Sequence, residues 1–186
     1  MDMPTLPKFT DEGFKKIQLP TELHKAVASY FNLHYLYSEP ELSDAIGTFI
    51  SSEHTSVPAR MVELDDHMRS VIREAMLPVL EEWAQRKLEL TALYGIREYR
   101  RGATLKMHVD KIETHHVSAI VNVYRHVDTD WPLHIHDHGG TLHKVYMKPG
   151  EAILYESARL MHGRPEALDG VSYANFFIHS KETTNV

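Results

Sequence analysis

Cysteine is absent from the chain, which excludes disulfides, thiolate nucleophiles and the cysteine-ligated zinc and iron–sulfur sites. Any bound metal must therefore be held by nitrogen and oxygen ligands. No stretch approaches the ~20 consecutive apolar residues of a membrane span, so no membrane partner is expected. The opening "MDMPTLPKFTDEGFKK" lacks the basic and apolar regions of a secretory leader, and a cytoplasmic location is the expectation. Positive charge is not in excess either: the net charge of −6 disfavours a nucleic-acid partner. Internal repeats and low-complexity tracts are missing. Histidine, by contrast, is abundant, with 14 in 186 residues. Most of them lie between His108 and His179, a distribution that no terminal tag would produce. At this length, with 42% apolar residues, the chain can bury one sizeable core, and a single domain over 1–186 is expected.

The first half reads as helical support over 1–92. Thr21 is placed to cap a segment whose Leu23, Val27, Tyr30 and Phe31 fall on one stripe. A longer helix is expected from Ser56, with Pro58 in its first turn and Met61, Leu64, Met68, Val71, Ile72 and Ala75 at helical spacing. Pro78 should kink or end it, with Val79, Leu80 and Trp83 continuing the pattern. Core packing is the ordinary explanation of these stripes. From Tyr94 the texture changes to short β-rich runs separated by turn signals such as "VDTDWP", "HDHGG" and "KPGE". Strands are expected near 94–100, 104–109, 117–125, 132–136, 142–147, 151–155, 159–164 and 171–179. Helices followed by about eight strands indicate an α+β fold, with helices buttressing a closed or nearly closed sheet over 93–180.

"LKMHVDKIETHH" contains the triplet His108-Val109-Asp110, and a second His-x-Asp lies at His126 and Asp128. A strand puts residues i and i+2 on one face, so both members of such a triplet can point into a barrel. With one histidine from a distant strand they make a facial triad, which leaves coordination positions open on Fe(II). His162 in "ESARLMHGRP" is the candidate third ligand. Between Asp110 and His162 lie 51 residues, room for several strands and their turns, whereas only 33 separate Asp128 from His162. His126 and Asp128 also begin a turn-like sequence, which favours a surface role for them.

"YGIREYRRGATLKMHVD", "KPGEAILYESARLMHGRP" and "YANFFIH" together resemble the prolyl 4-hydroxylase branch of the Fe(II)/2-oxoglutarate dioxygenases. Tyr99, Gly102, His108 and Asp110 match that family's spacing, and the resemblance covers roughly residues 94–180. It implies a double-stranded β-helix, or jelly roll, with His108, Asp110 and His162 as metal ligands and catalytic centre. It also implies Fe(II), 2-oxoglutarate and O₂ as cofactors, with ascorbate as a further candidate. The reaction implied is hydroxylation of a C–H bond in an amino acid, a prolyl peptide or another small molecule, with release of succinate and CO₂. "KIETHH" (111–116) is then a candidate substrate loop or lid.

The chain departs from the family where a Lys or Arg normally pairs with the far carboxylate of 2-oxoglutarate; Val171 and Ser172 stand there. An unpaired dianion in a barrel would cost several kcal/mol. Arg164, two residues after His162, faces the same interior in an extended strand and offers a planar fork for a carboxylate. Tyr99 matches a family tyrosine near the cosubstrate, and the resemblance implies that it donates to the same carboxylate; Tyr124, Arg125 and Tyr173 are weaker candidates. Two rival readings remain. His134, His136 and His138 alternate and would form a cupin-like metal site, although His138 adjoins the turn signal Gly139-Gly140. The barrel would alternatively be a catalytically silent binding module.

Overall fold

The structure is a computed structural model, and it describes residues 6–41 and 58–183. In chain order the elements are β1 (Phe14–Gln18), α1 (Thr21–His34), β2 (Glu39–Pro40), β3 (Arg60–Val62), α2 (Asp66–Ala84), β4 (Leu88–Arg100), β5 (Leu105–His108), β6 (Val117–Val127), β7 (Leu133–His136), β8 (Leu142–Val145), β9 (Glu151–Tyr155), β10 (His162–Arg164) and β11 (Gly170–Glu182). Each of the eight strands expected from sequence overlaps one of β4 to β11. They form two antiparallel sheets, ordered β1-β9-β6-β11-β4-β3-β2 and β5-β10-β7-β8.

The strand period explains the layering. On β6, Val117, Ala119, Val121 and Val123 join the core beneath the helices, while Ile120 packs on Leu133 and Ile135 of the smaller sheet. The helices thus cover one face of the large sheet, and the small sheet covers the other. On α2, Met68, Ile72, Met76, Leu80 and Ala84 recur every four residues and are all buried. Burying each of the larger ones contributes roughly 1.5–3 kcal/mol, and that stripe holds the helix against the sheet.

Several helical expectations need correction. Ser56 lies outside the described residues, but Pro58 is outside any helix, Met61 is in strand β3, and Leu64 precedes α2. Met61 and Leu64 fall on the extended helical pattern only because the spacing continues past the true start. Asp65 is the cap: its carboxylate accepts from the Met68 N–H at 2.7 Å. Pro78 does not end the helix, which runs on to Ala84. It sits on the exposed side, one turn after exposed Glu74, so the carbonyl that loses its helical partner lies on the solvent face. Thr21 is the first helical residue of α1, not its cap; Pro20 takes that place without a side-chain bond. Support over 1–92 is also not all helical. β1 pairs with β9 along the edge of the large sheet, Phe14 opposite Tyr155, and β4 already begins at Leu88.

Candidate metal centre

His108 ends β5 and His162 begins β10, and the two lie directly opposite each other in the antiparallel ladder. Gly163 makes this close approach possible. A Cβ there would come within 2.7 Å of the Lys106 carbonyl oxygen and 2.8 Å of that of Leu105. Asp110 follows β5 and is fixed by its N–H, which donates to the Ser157 carbonyl at 2.9 Å.

Backbone carbonyls set both histidine tautomers. His108 Nδ1 donates to the Lys106 carbonyl and His162 Nδ1 to that of Leu160, each at 2.7 Å. A neutral ring then carries its lone pair on Nε2. His108 Nε2 lies 3.3 Å and His162 Nε2 3.9 Å from Asp110 Oδ1. All three ligand atoms fall within 4.8 Å of one another, and no other such group of His, Asp or Glu occurs among the described residues. Burial pushes the His162 imidazole down to about 4, against the opposing pull of Asp110, so it is neutral near pH 7. Burial works to raise the Asp110 carboxyl, but the facing His108, His162 and His179 rings outweigh it and hold the carboxyl well below the usual range.

The other carboxylate oxygen, Asp110 Oδ2, is buried without a hydrogen bond and faces His179 Nδ1 at 3.6 Å. The direction of this neighbouring network follows from its far end. Ser157 Oγ donates to the His115 carbonyl at 3.0 Å, so it accepts from Ser118 Oγ at 2.7 Å. Ser118, its proton thus committed, accepts from His179 Nδ1 at 2.7 Å. The His179 proton is therefore on Nδ1, the atom nearest Asp110. Burial lowers the His179 pKa to about 3, so the ring acts as a neutral donor. Its face stacks on His115 at 3.9 Å.

These groups line a cavity of about 420 Å³ between the sheets, together with Tyr94, Arg97 and Phe177. Lys111 and His115 of the "KIETHH" loop also reach its wall. Arg164 and Tyr99 do not line it. They pack together in an adjoining buried cluster with Trp131 and Tyr173. The Arg164 guanidinium lies 4.6 Å from the Trp131 ring centre and 4.7 Å from that of Tyr173, and donates to the Trp131 carbonyl. Its Nη2 and the Tyr173 hydroxyl are buried without hydrogen-bond partners. The Tyr99 hydroxyl also makes no hydrogen bond, although it is close enough to Arg97 to favour that cation. Phe177 borders both the cavity and this cluster.

The remaining sequence candidates separate. His134 faces Glu166 at 3.5 Å, whereas His138 leaves the strand and meets buried Glu156 at 3.0 Å, so the three alternating histidines do not converge. Asp128 is exposed and pairs with Arg101, placing the second triplet at the surface. Arg125 pairs with Asp130, and Tyr124 packs on Phe31 outside the small sheet's side. Sequence reasoning missed His179 and Arg97. Strand alternation carried a signal for the first, because Phe177 and His179 share one face of "NFFIH".

No protein-family model matches the sequence, and no curated protein does. Solved structures do share the fold. A prolyl-4-hydroxylase from Pseudomonas putida aligns with TM-score 0.60 at 16% identity, covering 92% of this chain and 94% of that one. AviO1 from Streptomyces viridochromogenes aligns with TM-score 0.69 at 14% identity, over 96% and 94%. EctD from S. alaskensis, solved with 2-oxoglutarate and 5-hydroxyectoine, aligns with TM-score 0.66 at 13% identity, over 94% and 74%. Prolyl hydroxylases and other 2-oxoglutarate–Fe(II) oxygenases thus share this β-rich architecture of antiparallel sheets and two helices.

Proposed function

We propose that the protein is an Fe(II)/2-oxoglutarate-dependent oxygenase that hydroxylates a C–H bond of a small molecule or peptide. The observation that carries this reading is the convergence of His108 Nε2, His162 Nε2 and Asp110 Oδ1, with both imidazole protons tied to backbone carbonyls on the far sides. Electron pairs aimed at one point repel unless a cation lies between them. Two imidazoles and one carboxylate form the ligand set of non-haem Fe(II) oxygenases, leaving positions for cosubstrate and O₂. Iron bound there would supply O₂ activation coupled to decarboxylation of 2-oxoglutarate.

The protein's own residues do the rest. His108 and His162 are locked in the ligating tautomer, and His179, whose Nδ1–H goes to Ser118, stands beside the Asp110 oxygen that faces away from them. Arg164 and Tyr99 are the groups assigned to the far carboxylate of 2-oxoglutarate, with Tyr173 beside them. The fit rests on buried donors that lack acceptors in one cluster, Arg164 Nη2 and the Tyr99 and Tyr173 hydroxyls, and a carboxylate supplies acceptors. Its entry requires Phe177, which separates the cluster from the cavity, to shift. Ile120, Tyr155 and Phe177 add apolar surface beside these polar groups.

The experiment is succinate formation by the full chain with Fe(II), 2-oxoglutarate and O₂, against a panel of peptides and amino acids. Iron-dependent succinate is the expected result. No succinate under any of these conditions would remove the assignment.

A further inference from the structure

Arg97 and Glu41 form an ion pair in the cavity wall that neither the metal nor the cosubstrate assignment uses. Arg97 Nε donates to Glu41 Oε2 at 2.6 Å, and Nη2 donates to Oε1, a two-pronged contact. The two side chains are 15% and 11% exposed, so the pair is largely withdrawn from water while still bordering the cavity. The guanidinium lies 5.6 Å from the Phe177 ring centre, which restrains it from a second side. From the candidate metal centre the wall runs Asp110, His179, Arg97, Glu41, and the Arg97 charge bears on the His179 ring.

We infer that this cavity takes a small zwitterion of the α-amino acid class. Its carboxylate takes the place of Glu41 on Arg97, and its ammonium group pairs with the displaced Glu41. The inference rests on the oxygenase reading for the site's purpose, but not for its binding chemistry. The Glu41 carboxylate occupies the fork that a ligand carboxylate would fill. Charge accounting selects the zwitterion. A simple anion would leave Glu41 unpaired beside Glu39, Glu63 and Asp110, which also line the cavity. A simple cation would have to compete with Arg97 for Glu41. A zwitterion keeps both Arg97 and Glu41 paired and adds no net charge. The volume, about 420 Å³, suits a small molecule, and Phe177 and Tyr94 offer apolar surface to its hydrocarbon part.

The test is anaerobic calorimetry on the full chain loaded with Fe(II) and 2-oxoglutarate. The probes are the common L-amino acids, each beside its methyl ester, which lacks the carboxylate, and its N-acetyl form, which lacks the ammonium. At least one free amino acid should bind, with both blocked forms weaker by tenfold or more. Arg97→Ala should raise its dissociation constant ten- to a hundredfold, and Arg97→Lys should recover only part. Glu41→Gln keeps the shape at that position and guards against a folding artefact. It should collapse the preference for free over N-acetylated ligand, which a purely structural ion pair would not do. Binding by no free amino acid overturns the inference, as does an unchanged preference in Glu41→Gln. A loss of 2-oxoglutarate affinity in Arg97→Ala that matches the loss for the amino acid would assign Arg97 to the cosubstrate instead, and also overturns it. Succinate formation is measured separately: its absence alongside intact zwitterion binding sinks the oxygenase reading alone.

Discussion

Replacing Arg164 tests the least conventional part of the cosubstrate assignment. The guanidinium lies against both the Trp131 and Tyr173 rings and donates to the Trp131 carbonyl, yet its Nη2 has no partner. A cosubstrate carboxylate on that group makes a charge-assisted hydrogen bond, worth roughly 1.5–3 kcal/mol. Arg164→Met should therefore weaken 2-oxoglutarate binding about ten- to somewhat over a hundredfold. Methionine is chosen over alanine because it keeps much of the volume beside the two rings and limits the cavity penalty. Loss of the two ring contacts, about 0.5–2 kcal/mol each, would still lower thermal stability, so affinity must be measured well below the melting transition. Arg164→Lys should recover part of the affinity, because a point charge cannot reproduce the planar fork. The assay is anaerobic titration of 2-oxoglutarate into the Fe(II)-loaded protein, following the charge-transfer absorbance of the chelate. Wild-type affinity in Arg164→Met would refute the assignment and leave the cluster around Trp131 as packing alone.

Three further outcomes follow from particular contacts. His179→Ala should weaken Fe(II) binding by about ten- to a hundredfold, the scale seen when a group orienting a metal ligand is lost; equilibrium metal titration reads it. Gly163→Ala should push β10 from β5, cost about 1–3 kcal/mol in denaturant melts and lower iron affinity, whereas Met76→Ala, far from the site, should cost about 2–5 kcal/mol without changing iron stoichiometry. The metal-free protein should lose stability as pH falls. His162 and His179 have folded pKa values depressed to about 4 and about 3, so between those values and about 6.5 the unfolded chain binds protons that the folded one refuses. Their stabilisation is fully present above about pH 6.5 and declines below it, which melts at a series of pH values would record.

The parts of the fold legible in the sequence are those with local markers. β4 to β11 are bounded by turn residues, and their alternation is strong where one face meets the helices. β1 carried no such marker: Lys15 and Lys16 sit in an edge strand whose side chains are mostly exposed. The start of α2 was misplaced because Met61 and Leu64 fall on the helical period by coincidence, while the true cap, Asp65, follows them. The converging triplet was readable because two of its members are near neighbours in sequence, and chain length up to His162 favoured His108 and Asp110 over His126 and Asp128. Arg97, Glu41 and His179 are brought together only by sheet pairing, and no linear spacing joins them. The placement of Arg164 was half legible. Strand period gave its inward face, but the register shift between His162 and Arg164 turns it into the cluster behind the cavity.

Iron stoichiometry tests the central assignment most directly. Metal analysis after anaerobic loading and removal of loose iron should give one Fe(II) per chain in the wild type, and little in His162→Ala or Asp110→Ala. His126→Ala and His136→Ala, whose rings lie outside the converging group, should keep the full content. Equal iron in wild type and His162→Ala, or its loss in His136→Ala instead, would contradict the account.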